Sequence, residues 1–453
     1  MATTSRLTSE QIETALAGVL DIKDAISSIS TQLDVLTDES TLKLEALLTK
    51  CPTDISDELQ RHLKVDKTYK RSEEYYHYLR LLRVSKYHTD LQLIYTLSLH
   101  SNPNVPWCNN INSQIVTSII TEINMPNEII EDFIENEYKR NIQQVKSERS
   151  SSGLRPRLGF NSVASEISSS EQIEKLKAYP ISLSQAWFLI EISTDKHRWC
   201  SQVFNLTISF ILNLLDLSDI EIKTHACQLL QFLLSKSSHF KFNSGLIKEV
   251  SKSLSKCLVY IPPSVSVDRS LPILSQAYPC LIEVYSTYGT NLDYVELIST
   301  IISNVNHLLT SEVEITEPVL VLLLDQVLVM SEKLDTDITI CLSKLLYTLN
   351  QVIVNINICE RVPQVIAKAL NCQSRIITIF QSSTSEFKQI LYSYRFDLLG
   401  AYGILYKRIK HFKDEAQLID CMTENITQFG ELSQDIDTYT EWQDLTKLVI
   451  PIY

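Results

Sequence analysis

A chain of 453 residues, 44% hydrophobic and 21% charged, is long enough for two or three compact domains or for one array of repeats. Only eight glycines are present, where average usage is about 7%, which argues against Gly-rich nucleotide loops and for long helices with short connections. The net charge of −13 disfavours non-specific binding to DNA or RNA.

In chain order, the opening "MATTSRLTSEQ" lacks a basic flank followed by an apolar core, so no signal peptide is expected. Residues 1–145 read as an N-terminal helical region of uneven quality. Within it "RHLKVDKTYKRSEEYYHYLRLLRVSK", residues 61–86, interleaves cations and tyrosines, a pattern that can stack bases and hold phosphates. The chain is acidic and carries no nucleic-acid-binding signature, so an amphipathic helix with its cations in water is the preferred reading. Residues 146–172, "KSERSSSGLRPRLGFNSVASEISSSEQ", are rich in Ser and hold no sustained apolar period, as in a linker or mobile surface loop. Phosphorylation of serines near Arg149, Arg155 and Arg157 is the functional alternative to a plain solvated segment.

From 173 to 453 helices follow one another closely, as one C-terminal helical-repeat domain. The expected spans are 183–193, 197–215, 219–235, 242–259, 268–287, 292–310, 317–332, 335–357, 361–381, 385–411, 414–430 and 434–449. The most apolar run, "EPVLVLLLDQVLVMSEK", is interrupted by Asp325 and Gln326 and falls short of the roughly 20 apolar residues of a membrane-spanning helix. A buried helix is expected there. No alternating run suggests a sheet.

The stretch "LLDLSDIEIKTHACQLLQFLLSK", residues 214–236, defines the architecture. In the first helix Phe204, Ile208, Ile211, Leu212 and Leu215 lie on one face, and in the second Ile222, Ala226, Leu229, Leu230 and Leu233 repeat the same spacing. Ser218 and Glu221 have the spacing of a capping box, which predicts the start of the second helix. Two helices with matching stripes and a tight link form an antiparallel hairpin whose apolar faces need further hairpins stacked on them. Asp216 in the turn and Lys223 in the second helix sit where a HEAT-type repeat has its acidic and basic residues. The fold expected is therefore all-α, an α-solenoid of irregular HEAT-like antiparallel helix pairs.

Constellations for chemistry are missing. Ten cysteines are scattered without a CxxC, so reduced core thiols are expected. None of the nine histidines makes HExxH, and the local pair His197 and Cys200 in "DKHRWC" supplies two of the four ligands of a structural zinc. No GxSxG, Walker lysine or GxGxxG occurs. No catalytic, cofactor-binding or metal-binding residue is assigned, and no cofactor is expected. "GAYG", residues 400–403, places small residues in a helix, as close helix packing would need. "KRIKHFK", residues 407–413, has the composition of a nuclear import signal, although a cationic helix end explains it as well. Trp107, Trp187, Trp199 and Trp442 are core anchors or interface hot spots.

Two blocks together resemble a known family. "QVFNLTISFILNLLDLSDIEIKTHACQLLQFLL" is similar to its helix, Leu-Leu-Asp turn and second helix. "LSKCLVYIPPSVSVDRSLPILSQAYPCLIEVY", residues 254–285, follows with Leu258, Tyr260, Pro262 and Pro263 ahead of the "AYPCLIEV" helix. Their order and spacing resemble the Tti-two family of the TTT co-chaperone complex, in which Tel joins two Tel-interacting proteins. The likeness covers mainly residues 180–290, with Leu217 replacing the usual second acidic residue after Asp216. It implies a helical-repeat scaffold without catalytic activity, in the cytoplasm and nucleus. The implied partners are the larger Tti subunit and Tel, and indirectly the phosphatidylinositol-3-kinase-related kinases and the Hsp-ninety machinery, with neither nucleic acid nor membrane. Asp216, Ser218, Glu221, Lys223, Pro262 and Pro263 are expected to be architectural. The rival reading is a solenoid adaptor in nuclear transport or vesicle traffic.

Overall fold

A computed structural model describes residues 36, 38–50, 55–65, 69–123, 125–146, 179–193, 197–236, 242–409 and 415–449. The expected Ser-rich linker lies, from residue 147 on, outside the described residues. Those described are all-α, without a strand. They fall into two compact units, residues up to 214 with 232–241, and residues 215–231 with 242 onward.

The first unit holds α1 (Asp38–Lys50), α2 (Ser56–His62), α3 (Ser72–Val84), α4 (Leu91–Leu99) and α5 (Asn110–Glu122). Next α6 (Asn127–Asp132) runs through a π-helical segment, Phe133–Tyr138, into α7 (Lys139–Lys146). Then come α8 (Tyr179–Ile192), α9 (Cys200–Leu215) up to Leu214, and the final turn of α10 (Ile220–Ser235). With glycine scarce, short polar side chains start the helices. Asp90 accepts from the Leu93 N–H at 2.7 Å to open α4, and Asn109 accepts from that of Asn112 at 2.9 Å to open α5. α3 packs on α1 and α5, and α8 packs on α4 and α7. The π segment lies beside α9, where Tyr138 and Thr207 share a buried hydroxyl hydrogen bond of 2.8 Å. The loop after α4 is buried, so its backbone polar groups need side-chain partners. Ser101 Oγ donates to the Ser184 carbonyl at 2.9 Å, and Ser184 Oγ and Trp107 Nε1 both donate to that of Leu99 at 2.8 Å.

The second unit begins with the turn at Leu215 and the first three turns of α10, followed by α11 (Ser244–Ser255) and a 3-10 turn at Lys256–Val259. It continues through α12 (Val267–Tyr288), α13 (Asn291–Leu308), α14 (Val313–Leu334), a 3-10 turn at Asp335–Ile340, α15 (Leu342–Val354) and the short α16 (Ile356–Arg361). Last come α17 (Pro363–Gln381), α18 (Ser385–Tyr392), α19 (Arg395–Ile409), α20 (Glu415–Gln434) and α21 (Tyr439–Val449). These form two rows. In one, α12, α14, α17 and α20 stack in succession; in the other, α13, α15, α19 and α21 do. Each helix touches its row neighbours and the adjacent helix of the other row, which is the helical-repeat, solenoid arrangement.

Polar rungs join α14 to the end of α16 and to α17, which runs parallel to it. Glu314 pairs with Arg361 at 3.8 Å, Asp325 with Lys368 at 2.7 Å and Glu332 with Arg375 at 3.2 Å, and Gln364 donates to Glu317 between the first two. Inside, a buried chain of hydrogen bonds joins four helices. Gln373 Nε2 donates to Asn350 Oδ1 at 2.7 Å, Tyr402 donates to Gln373 Oε1 at 2.9 Å, and Asn425 Nδ2 donates to the Tyr402 oxygen at 3.4 Å. In a low-dielectric core such a chain fixes one relative placement of α15, α17, α19 and α20.

Two expected helices are broken. The span 335–357 becomes a 3-10 turn, α15 and then α16. Asp335 sits at φ 50° and ends α14, and Asn355 turns its side chain onto the N–H groups of Asn357 and Ile358 to begin a new helix. The span 385–411 is interrupted at Ser393, whose hydroxyl donates back to the Ile390 carbonyl at 2.6 Å.

Candidate interaction surface

In α9 and α10 the predicted stripes are buried, except that Leu212 is half-exposed. The helix start differs by one residue from the expected capping box. Asp219 accepts from the N–H groups of Glu221 and Ile222, at 2.9 and 3.1 Å, whereas Ser218 lies ahead of the cap and is exposed. The carboxylate is placed for the first free N–H groups and also meets the positive end of the helix dipole. Lys223 is 4% exposed, and its ammonium donates to the Leu215 carbonyl at the C-terminus of α9 and lies 5.6 Å from the Tyr260 ring centre. Asp216 pairs with Lys256 at 3.3 Å. Pro262 and Pro263, joined by a cis peptide bond, form the turn between the 3-10 segment and α12. Glu221 lies in the first turn of α10.

The shifted titratable groups are those of a dry core. His100 is fully buried, and desolvation holds its pKa down to about 4 against the Nε2 hydrogen bond to the Leu63 carbonyl at 2.8 Å. Burial pushes the neighbouring Cys108 thiol up to about 12. That is the reverse of a nucleophilic Cys–His pair, which needs a thiolate beside a protonated ring. Burial likewise raises Tyr138, Tyr278 and Tyr402. Cys257 goes the other way, lowered by a hydrogen bond from the Cys227 thiol, but it is sealed in the core. The nine described cysteines are thiols outside any disulfide, and all but Cys421 are buried. Among the described residues no three His, Cys, Asp or Glu side chains could hold a metal ion, and no helix is long and apolar enough to cross a membrane. His197 Nδ1 is 3.1 Å from Asn127 Oδ1, and its ring stacks on Trp199 at 4.6 Å.

In the basic, tyrosine-rich segment Arg61, Lys64, Arg71, Arg83 and Lys86 face water, while part of its aromatic content packs inside. Tyr75 and Tyr78 are buried, His62 stacks on Tyr78 at 5.0 Å, and Arg80 pairs with Glu45 at 2.5 Å. Lys407 and Arg408 close α19, with Arg408 donating to the Val354 carbonyl; residues 410–413 lie outside the described residues. Trp107, Trp199 and Trp442 are core anchors, whereas Trp187 is half-buried and stacks on Phe232 at 3.8 Å. Gly403 is buried as close packing requires, but Gly400 is exposed, and nothing lies within 4 Å of where its Cβ would be.

The two rows of the second unit present different surfaces. On the α14–α17 face Lys368 and Arg375 of α17 pair with Asp325 and Glu332 of α14. Tyr347 on α15 and Phe396, Gly400 and Ile404 on α19 are exposed, as is Ile340 in the 3-10 turn before α15. Tyr347 is 64% and Phe396 57% exposed, more than half of each side chain in water. Sequence reasoning did not single these out. The only available signal was the i, i+4, i+8 spacing of Phe396, Gly400 and Ile404 on a face separate from the buried stripe of α19.

No curated protein matches the chain. The model of the Tti2 family matches residues 93–360, extending beyond the 180–290 blocks on both sides to include α4 and the buried loop after it. The match spans more than half of the 453 residues. The chain belongs to the Tti2 family.

Proposed function

We propose that the chain is a non-catalytic scaffold subunit of the TTT co-chaperone complex. It binds the larger Tti subunit and, with Tel, supports the folding, assembly and stability of phosphatidylinositol-3-kinase-related kinases alongside the Hsp-ninety machinery. Tor, checkpoint and telomere-kinase signalling depend on it through those clients, in the cytoplasm and nucleus. The observation that carries this reading is the family match over residues 93–360. Two stacked rows of helices, with ionisable core groups tuned by burial rather than by a cleft, agree with it. The Ser-rich segment 146–172 is, in this reading, a surface linker.

Affinity purification of the tagged chain from its own cells at moderate salt, followed by mass spectrometry, tests the assignment. Stoichiometric recovery of the larger Tti subunit and Tel, with traces of the giant kinases, is the expected result. Recovery of the chain alone, or with transport or coat proteins, would overturn it and leave the adaptor reading in its place.

A further inference from the structure

Within the second unit, α10 and the 3-10 turn Lys256–Val259 meet in two rungs. Lys223 and Cys227 are one turn apart on α10 and share a face. Opposite them stand Tyr260 and Cys257, one 3-10 turn apart, with the Tyr260 N–H on the Cys257 carbonyl at 3.5 Å. The first rung is the Lys223 ammonium, 5.6 Å from the Tyr260 ring centre. One turn along both elements comes the second, in which the Cys227 thiol donates to the Cys257 sulfur. Cys257 in turn donates to the Ser253 carbonyl at 3.7 Å. Cys280 of α12 is close by, but its thiol is engaged by the Cys227 carbonyl at 3.1 Å. Cys108, Cys341 and Cys372 likewise donate to main-chain carbonyls.

The thiol pair is asymmetric. The hydrogen bond from Cys227 lowers the Cys257 pKa, with Lys223 and Lys256 acting in the same direction against burial, and raises that of Cys227. Cys257 is therefore the sulfur that ionises and attacks first, and Cys227 the one that follows. In the closed fold both are sealed off. The seal over Cys257 is one 3-10 turn, which carries the exposed Lys256 and Val259 and is held by that long 3.5 Å hydrogen bond. Opening a single such turn is a local event, and it admits a molecule as small as hydrogen peroxide.

We propose that Cys227 and Cys257 form a peroxide-oxidised dithiol, whose disulfide pins the 3-10 turn to α10. The Cys257 thiolate attacks one peroxide oxygen, the O–O bond breaks, and the departing hydroxide takes up the proton that Cys257 gave up, leaving as water. Cys257 is then a sulfenic acid. The Cys227 sulfur attacks it, forming the S–S bond, and the sulfenic hydroxyl leaves with the Cys227 proton as a second water. Two thiols thus pass two electrons to one peroxide and yield one disulfide and two waters. Cys280 stays a thiol, held on the Cys227 carbonyl.

The test is peptide mapping of the full, pre-reduced chain after stepwise exposure to hydrogen peroxide at pH 7, with remaining thiols alkylated before a non-reducing digest. A crosslink of Cys227 to Cys257 is expected, formed at least about 10-fold faster than oxidation of the equally buried Cys280 or Cys372. Hydrogen exchange across residues 256–261 should slow in the oxidised chain. In Cys227→Ala, dimedone should trap a sulfenic acid at Cys257, whereas Cys257→Ala should leave Cys227 a thiol. The map of the unmodified chain decides even if a variant fails to fold. A crosslink of Cys257 to Cys280 overturns the proposal, as does oxidation of the half-exposed Cys421 while Cys227 and Cys257 stay thiols. A crosslink that forms only in denaturant, or that leaves exchange at 256–261 unchanged, overturns it too.

Discussion

His100 offers the sharpest test of the core described for the first unit. Its ring is fully buried beside Tyr75, 4.7 Å between ring centres, and Nε2 donates to the Leu63 carbonyl. Nδ1 has no hydrogen-bond partner, so protonation would add a buried N–H with no acceptor. Desolvation keeps the folded-state pKa near 4, against an ordinary value of 6.5. As pH falls below 6.5 the unfolded chain takes up a proton that the folded chain refuses. The stability contributed is therefore complete above 6.5, falls by about 1.4 kcal/mol per pH unit, and is gone below 4. Across that window the loss is roughly 3 kcal/mol. Carboxylates titrate in the same range, so the informative quantity is the difference from His100→Gln, whose amide can still donate to Leu63. Hydrogen exchange of peptides covering residues 91–108, followed between pH 6.5 and 4, reads this local stability. The variant is expected to start less stable and to decline less steeply. Parallel pH profiles for the two proteins would refute the argument, since they would mean that the folded core admits the proton.

Three further outcomes are expected. Lys223→Met should cost about 2 kcal/mol, the worth of a buried charge-assisted hydrogen bond to the Leu215 carbonyl, read as a lower urea midpoint; an unchanged midpoint would make the lysine ornamental. Lys368→Ala breaks one rung between α14 and α17, but the pair is substantially exposed, so under about 1 kcal/mol should be lost in the same assay. Asp335→Gly should raise the melting temperature, by an amount equivalent to about 1 kcal/mol, because glycine accepts φ 50° without a Cβ penalty; a lower melting temperature would show that the aspartate holds that turn by other means.

The periodicity of the 200–235 region disclosed more than its caps did. Ile222, Ala226, Leu229 and Leu233 are buried as their spacing requires, because a helical face is a property of one segment. The breaks at Asn355 and Ser393 were hidden, since there a side chain captures local backbone and an apolar pattern continues across it. The inter-helix register was not legible either. Asp325 and Lys368 meet across 43 residues, and nothing local marks either as the other's partner. For the candidate surface, residue type misleads outright: Tyr347 and Tyr402 are both tyrosines of second-row helices, yet one stands in water and the other joins the buried hydrogen-bond chain. The N-terminal reach of the family match was invisible for a related reason. The segment around His100 is a buried loop whose own side chains reach the Leu63 and Ser184 carbonyls, with no period to read.

Row stacking also has a consequence for synthesis on the ribosome. Contacts between row neighbours such as Asn350 with Asp397, Lys368 with Asp325 and Asn425 with Leu370 link residues 43 to 55 apart in the chain. Each emerging helix of the second unit therefore finds its seat already translated, and its exposed apolar face waits for only about one further repeat. Such rows can be built vectorially, each helix docking on one translated before it.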